Sequence, residues 1–172
     1  MVTEKIYDAR VIANYFLDLA KSHGRSLSIT AILKLFYFAH GWRLAEQGVP
    51  LIGQKFEAWQ HGPVVRIIHE EFKEYSGGPI KKRATRFSIE QKEYVLAKDE
   101  IHDKVCELLD SVFHAYGSYH PFKLSDMTHE KDSPWEQIWK KGEKGLSPGM
   151  KIPNQSIKEY FLTRNIGDTF NA

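Results

Sequence analysis

Residues Ser28 to Gly48 constrain this chain more than any other stretch. Ile29, Ile32, Leu33, Leu35, Phe36, Tyr37, Phe38 and Trp42 fall at spacings that cover almost every face of a helix. A helix that is apolar all round has no side left for water, so it belongs at the centre of a domain. Its longest unbroken apolar run, Leu35 to Ala39, is five residues. That is far short of the ~20 needed to span a bilayer, so the burial is within the protein and no membrane is expected as a partner. The remaining residues must wrap this helix. A chain of 172 residues with 42% hydrophobic and 13% aromatic content has the material to do so. A domain of that size buries roughly 70% of the surface its unfolded chain exposes. Residues 1–172 are expected to form a single domain, mainly α and compact around the buried central helix, with a small β element.

The flanking segments read as follows. Asp8 caps a first helix carrying Val11, Ile12, Tyr15, Phe16 and Leu19, with Tyr7 and Ile12 at staple positions and Gly24 as the stop. Lys55 to Trp59 alternates polar and apolar as a short strand does. Gly62-Pro63 reads as the start of a helix reaching Tyr75, because proline suits a first helical position. On it Val64, Val65, Ile68, Phe72 and Tyr75 face inward, while Arg66, His69, Glu70 and Lys73 share the wet face. Residues 80 to 98 read as a hairpin around Thr85, Phe87, Ile89, Tyr94 and Leu96; Ser88 and Gln91 as a capping box opening a long helix is the rival. Helices over Glu100 to Tyr116 and Pro121 to Thr128, a cap at Ser133-Pro134-Trp135-Glu136, glycine and proline punctuation from 142 to 153, and a last helix with Ile157, Tyr160 and Phe161 complete the expectation.

Chemistry is sparse. Cys106 is the single cysteine, consistent with a reducing cytoplasm, and no apolar N-terminal leader follows a basic start. Twenty-four Lys and Arg against 22 Asp and Glu leave a net charge of +2, too little for a nucleic-acid footprint. Among eight histidines, only His114 and His120 have ligand-pair spacing, and a partner pair is missing, so no metal or other cofactor is expected. Cys106 follows His102 by one helical turn, with Asp99 and Asp103 nearby. Nucleophile and base normally come from separate elements, which favours a packing role for the thiol. No P-loop, G-x-S-x-G, H-E-x-x-H or dinucleotide fingerprint occurs, so no enzyme is expected. Lys81, Lys82, Arg83 and Arg86 form one basic cluster, and Lys140, Lys141 and Lys144 a weaker second. They motivate the alternative of a nucleic-acid-binding or regulatory protein.

Of four tryptophans, Trp42 belongs to the core, while Trp59 ends a strand just before the rigid Gln60-His61-Gly62-Pro63 turn. An aromatic anchor beside mixed charges is the composition of a specific interface. The candidate partner-binding set is therefore Trp59, His61, Arg66, His69, Glu70 and Lys73, with charge reversal at Arg66 and Lys73 expected to spare folding. The other reading these residues allow is Trp59 in the core beside a solvated helix face.

The run from Leu33 through Lys34 and Phe36 to Gly41-Trp42, then Gly48-Val49-Pro50-Leu51, then Phe56 to Val65, closely resembles the signature of the Panacea domain, the SocA-like antitoxin family of prophages and mobile elements. Tyr116-Gly117, Leu124 to His129 and Ser133-Pro134-Trp135 are similar too, so the likeness extends from about Ala9 to Phe161. The resemblance implies a mostly helical antitoxin that neutralises a cognate protein toxin in the bacterial cytoplasm by direct contact. It leaves open whether the toxin's site is occluded or the toxin is delivered to a cellular protease. Many relatives carry an added DNA-binding segment, for which this chain has no length. The family supplies no established catalytic residues.

Overall fold

The computed structural model describes residues 3–143 and 150–166, in which helices dominate and strands are short. Helix α1 (Ala9–Ser22) is capped by Asp8, which accepts from the Arg10 amide at 2.9 Å. Helix α2 (Ile29–Gln47) starts at Ser28, whose side chain accepts from the Ala31 amide, and stops at Gly48. Strands β1 (Phe56–Trp59) and β2 (Gly62–Val65) lead into α3 (Arg66–Phe72), which tightens into a 3-10 turn at Lys73–Tyr75. Strands β3 (Thr85–Ser88) and β4 (Glu93–Leu96) precede α4 (Asp103–Tyr116), α5 (Pro121–Thr128) and α6 (Pro134–Glu143). Strand β5 (Lys151–Ile152) and α7 (Asn154–Leu162) follow. Of the punctuated stretch from 142 to 153, residues 144–149, with Lys144, lie outside the described residues.

Helix α2 is the centre, as its composition requires. It packs against α1, α3, α4, α5, α7 and β2. Successive aromatic side chains meet a different neighbour on each face. Phe36 meets Phe16 of α1 edge-on at 6.0 Å, and Tyr37 meets Phe56 of β1 at 5.6 Å. Phe38 stacks on Tyr116 of α4 at 4.4 Å, and Trp42 stands on Phe161 of α7 at 5.0 Å. Pairs of this geometry add about 0.5–1.5 kcal/mol each beyond the area they bury. Gly41 lets α7 come this close, since a Cβ there would overlap the Phe161 ring.

The helix also buries three basic residues. Arg43 donates to Pro50 O at 3.0 Å and Thr3 O at 2.9 Å, tying the segments on either side to the helix. Lys34 donates to Pro63 O at 3.1 Å. His40 Nε2 donates to Asn154 Oδ1 at 3.0 Å, while its Nδ1 has no hydrogen-bond partner among the described residues. Burial, only partly offset by the Asn154 bond, pulls the His40 pKa down to about 4. A base whose folded pKa lies below its unfolded value stabilises above the unfolded pKa and loses that contribution as pH falls towards the folded one. Urea unfolding should therefore show about 2–4 kcal/mol of His40-dependent stability disappearing between roughly pH 6.5 and pH 4. A His40→Gln variant should lose less stability over that window, and equal losses in the two proteins would contradict the assignment.

One element departs from expectation. Gly62 to Val65 is a strand and not the first turn of a helix. It pairs antiparallel with β1 through a two-residue Gln60-His61 turn, Pro63 opposite Ala58, and α3 begins only at Arg66. Strand order is β2-β1-β5, so β2 is an edge, where proline's missing N–H is tolerated. Val64 and Val65 are β-branched and favour that extended backbone. The expected inward residues are buried even so, with Tyr75 half-buried.

The hairpin of residues 80 to 98 is present as β3 and β4. Ser88 Oγ does accept from the Gln91 amide at 3.2 Å, but inside the hairpin turn, so the capping-box signal belongs to a local turn. Asn14 of α1 holds the stem: its Nδ2 donates to Ala84 O and Ala97 O at 2.9 Å, and its Oδ1 accepts from the Ala84 amide.

Candidate functional site

The β1–β2 turn and α3 form the surface on which the candidate residues meet. Glu57 and Trp59 are two apart on β1 and so share one face. The Trp59 indole N–H donates to Glu57 Oε2 at 2.8 Å, and Arg66 at the start of α3 donates to both Glu57 oxygens at 3.1 and 2.8 Å. The Arg66 guanidinium lies over the Trp59 ring at 5.3 Å, and the His69 ring tilts against it at 4.8 Å. Bidentate pairing and the stacked ring hold these side chains in one arrangement. Lys73 pairs with Glu70 at 2.6 Å at the outer edge, and that bond is the main cause that lowers the Glu70 pKa. His61, at the tip of the turn, is exposed. The fold thus brings all six candidate residues onto one continuous patch, with Trp59 and His69 half-buried and the others exposed.

Behind the patch, Trp135 donates its indole N–H to Trp59 O at 2.7 Å and stacks on His129 at 3.9 Å. Ser133 caps α6 by accepting from the Glu136 amide at 3.2 Å, which fixes where Trp135 points. Lys34 and Thr128 lie behind Gly62, whose φ is 110°. Glu57, Trp135 and Lys34 are the site residues that sequence reasoning passed over. Glu57 was legible in the strand's period of two, and Lys34 as a charge inside an apolar helix; no local signal joins Trp135 to Trp59.

The expected neutrality of reversing Arg66 needs correction. Its partner Glu57 is only 9% exposed, so a glutamate at 66 would face a nearly buried carboxylate. Trp59 and Lys73 are the better positions to alter.

Other candidates disperse. His102 caps α4 by accepting from the Lys104 amide, and Asp99 is committed to Arg86 at 3.0 and 2.9 Å. Burial pushes the Cys106 thiol up, the opposite of what a nucleophilic cysteine needs. Among the described residues, no group of three or more His, Cys, Asp or Glu is placed to hold a metal ion. In the basic cluster, Arg83 pairs with Asp18 and Arg86 with Asp99, so two of its four charges are matched. The same hairpin exposes Phe87, Ile89 and Tyr94, the first and last in a cross-strand pair at 5.5 Å.

The model of the SocA-like antitoxin family, the Panacea domain, matches residues 32–136, a span that includes most of α2, the Trp59 surface and the Trp135 support. The chain belongs to the SocA-like antitoxin family. It is 30% identical over 159 residues to Antitoxin SocA of Caulobacter vibrioides (strain NA1000 / CB15N), an alignment covering 92% of this chain and 85% of that protein. No solved structure matches significantly. In this SocA-like chain, no helix among the described residues is long and apolar enough to cross a membrane.

Proposed function

We propose that this chain neutralises a cognate protein toxin by direct contact, and that Trp59 is the centre of the contact surface. The observation that carries the reading is the Trp59 platform: a half-exposed indole fixed between Arg66 and His69, rimmed by Glu70 and Lys73. Rigid aromatic anchors with a polar rim lose little entropy on binding and dominate interface energetics. The antitoxin relative supports the partner's class. The complex forms in the cytoplasm, and neutralisation proceeds by occluding the toxin's site or by delivering the toxin to a cellular protease.

The test is growth rescue with the toxic product of the neighbouring reading frame. Cells co-expressing it with the wild-type chain should grow. Cells carrying Trp59→Ala should not, provided the variant accumulates and melts like wild type. Full rescue by a folded Trp59→Ala protein would place the contact elsewhere. A second reading is favoured by the exposed Phe87, Ile89 and Tyr94, since clustered apolar side chains on a hairpin mark interaction sites. The double variant Phe87→Ser, Tyr94→Ser separates the two, because its failure to rescue would assign the contact to the hairpin.

A further inference from the structure

Lys34 is 1% exposed in the first half of α2, and its Nζ donates to Pro63 O at 3.1 Å. No carboxylate among the described residues offsets its burial, which alone draws its pKa down to about 7. An ammonium buried without a counter-charge is costly, and a methionine of similar length would fill the space without that cost. Lys34 also forms part of the wall of a pocket of about 460 Å³ between α2, the β1–β2 turn and α3. Trp59, His61, His69 and Lys73 line it together with the neutral polar Thr30, Gln60 and Ser76, and no Asp or Glu lines it. The nearby acids are committed elsewhere, Glu57 to Arg66 and Glu70 to Lys73, with Glu70 also 3.6 Å from His69 Nδ1. Among the described residues, His69 Nδ1 in the pocket wall is buried without a hydrogen-bond partner; Ser125 Oγ and His129 Nε2, near α5 and outside the pocket lining, are too.

We propose that this pocket binds a carboxylate, the side chain of an aspartate or glutamate on the partner protein, with Lys34 as its counter-charge and Lys73, His61 and His69 around it. The inference rests on the neutralisation reading for the source of the carboxylate, and on the pocket alone for the chemistry. Lys73 is already paired with Glu70, so Lys34 is the one lysine of the wall without a carboxylate partner among the described residues, and it matches one negative charge. A phosphate group, at about −1.5 to −2, would bring more charge than the wall balances. Trp59 borders the pocket, so an acidic residue beside the partner's contact with the indole would reach it.

The probe is a blocked aspartate, N-acetyl-aspartate methylamide, added to the purified full chain and followed by NMR of the His61, His69 and Trp59 ring protons. Saturable shifts are expected with the aspartate compound. At least tenfold weaker effects are expected with its asparagine counterpart and with inorganic phosphate. Lys34→Met should melt no lower than wild type and bind the aspartate compound at least tenfold more weakly; Lys73→Gln, at the exposed mouth, should weaken it a few-fold. Equal binding of the asparagine compound, preference for phosphate, or unchanged binding by both variants would overturn the site. The source is tested separately by growth rescue. A folded Lys34→Met chain that rescues fully would overturn the partner carboxylate while leaving the Trp59 reading to its own test. Failure of Trp59→Ala to rescue beside absent aspartate binding would overturn the pocket alone.

Discussion

Phe36→Ala lowers the melting midpoint by about 6–20 °C, one of the two largest effects expected from single substitutions in this fold. Phe36 is fully buried at the centre of α2 and touches Phe16 across the α1 interface. Removing its ring forfeits the burial and leaves a cavity that rigid neighbours do not fill, together worth about 3–5 kcal/mol. For a chain of this length each kcal/mol moves the midpoint by about 2–4 °C. Total stability in such domains is about 5–15 kcal/mol, so the variant should lose neutralisation through unfolding and not through any change at Trp59. An unchanged midpoint in differential scanning calorimetry would mean that this face of α2 is not buried.

Gly62→Ala is expected to act on both stability and site. The Gly62 φ of 110° lies where an L side chain is strained. A Cβ there would also stand 2.6 Å from Thr128 Oγ1 and 2.8 Å from Lys34 Cε and Nζ. Backbone strain and the displacement of two buried side chains each contribute about 1–3 kcal/mol, giving about 2–6 kcal/mol together. The strained Gly62 closes the β1–β2 turn opposite Trp59, so the change reaches the turn bearing Trp59 and His61. Calorimetry and Trp59 ring NMR should both report a change. A variant with wild-type melting and an unshifted Trp59 signal would show that the turn tolerates the methyl group.

The central helix was legible because its apolar residues occupy every face, a pattern with one physical solution. The partners of its buried Lys34, His40 and Arg43 were not legible. Their acceptors, Pro63 O, Asn154 Oδ1 and the Pro50 and Thr3 carbonyls, come from segments that sequence periodicity does not bring together. Pro63 was misread because a proline before a helix and a proline in an edge strand leave the same local mark; pairing with β1 decides between them. Strand β5 is two residues long, too short for any period, and exists because Phe56 and Glu57 offer it a partner. The candidate surface was legible where it is local, from Trp59 to Lys73. Its support from Trp135 was not, since 76 residues separate the indole from the carbonyl it binds.

Direct binding of the purified toxin is the measurement closest to the proposed function. Titrated calorimetrically into the wild-type chain, the toxin should give a saturable complex. Trp59→Ala, with its melting midpoint unchanged, should bind about 30-fold or more weakly, which corresponds to about 2 kcal/mol, the threshold of an interface hot spot. Equal affinity for the two proteins, or neutralisation in cells with no complex detectable in solution, would contradict the account.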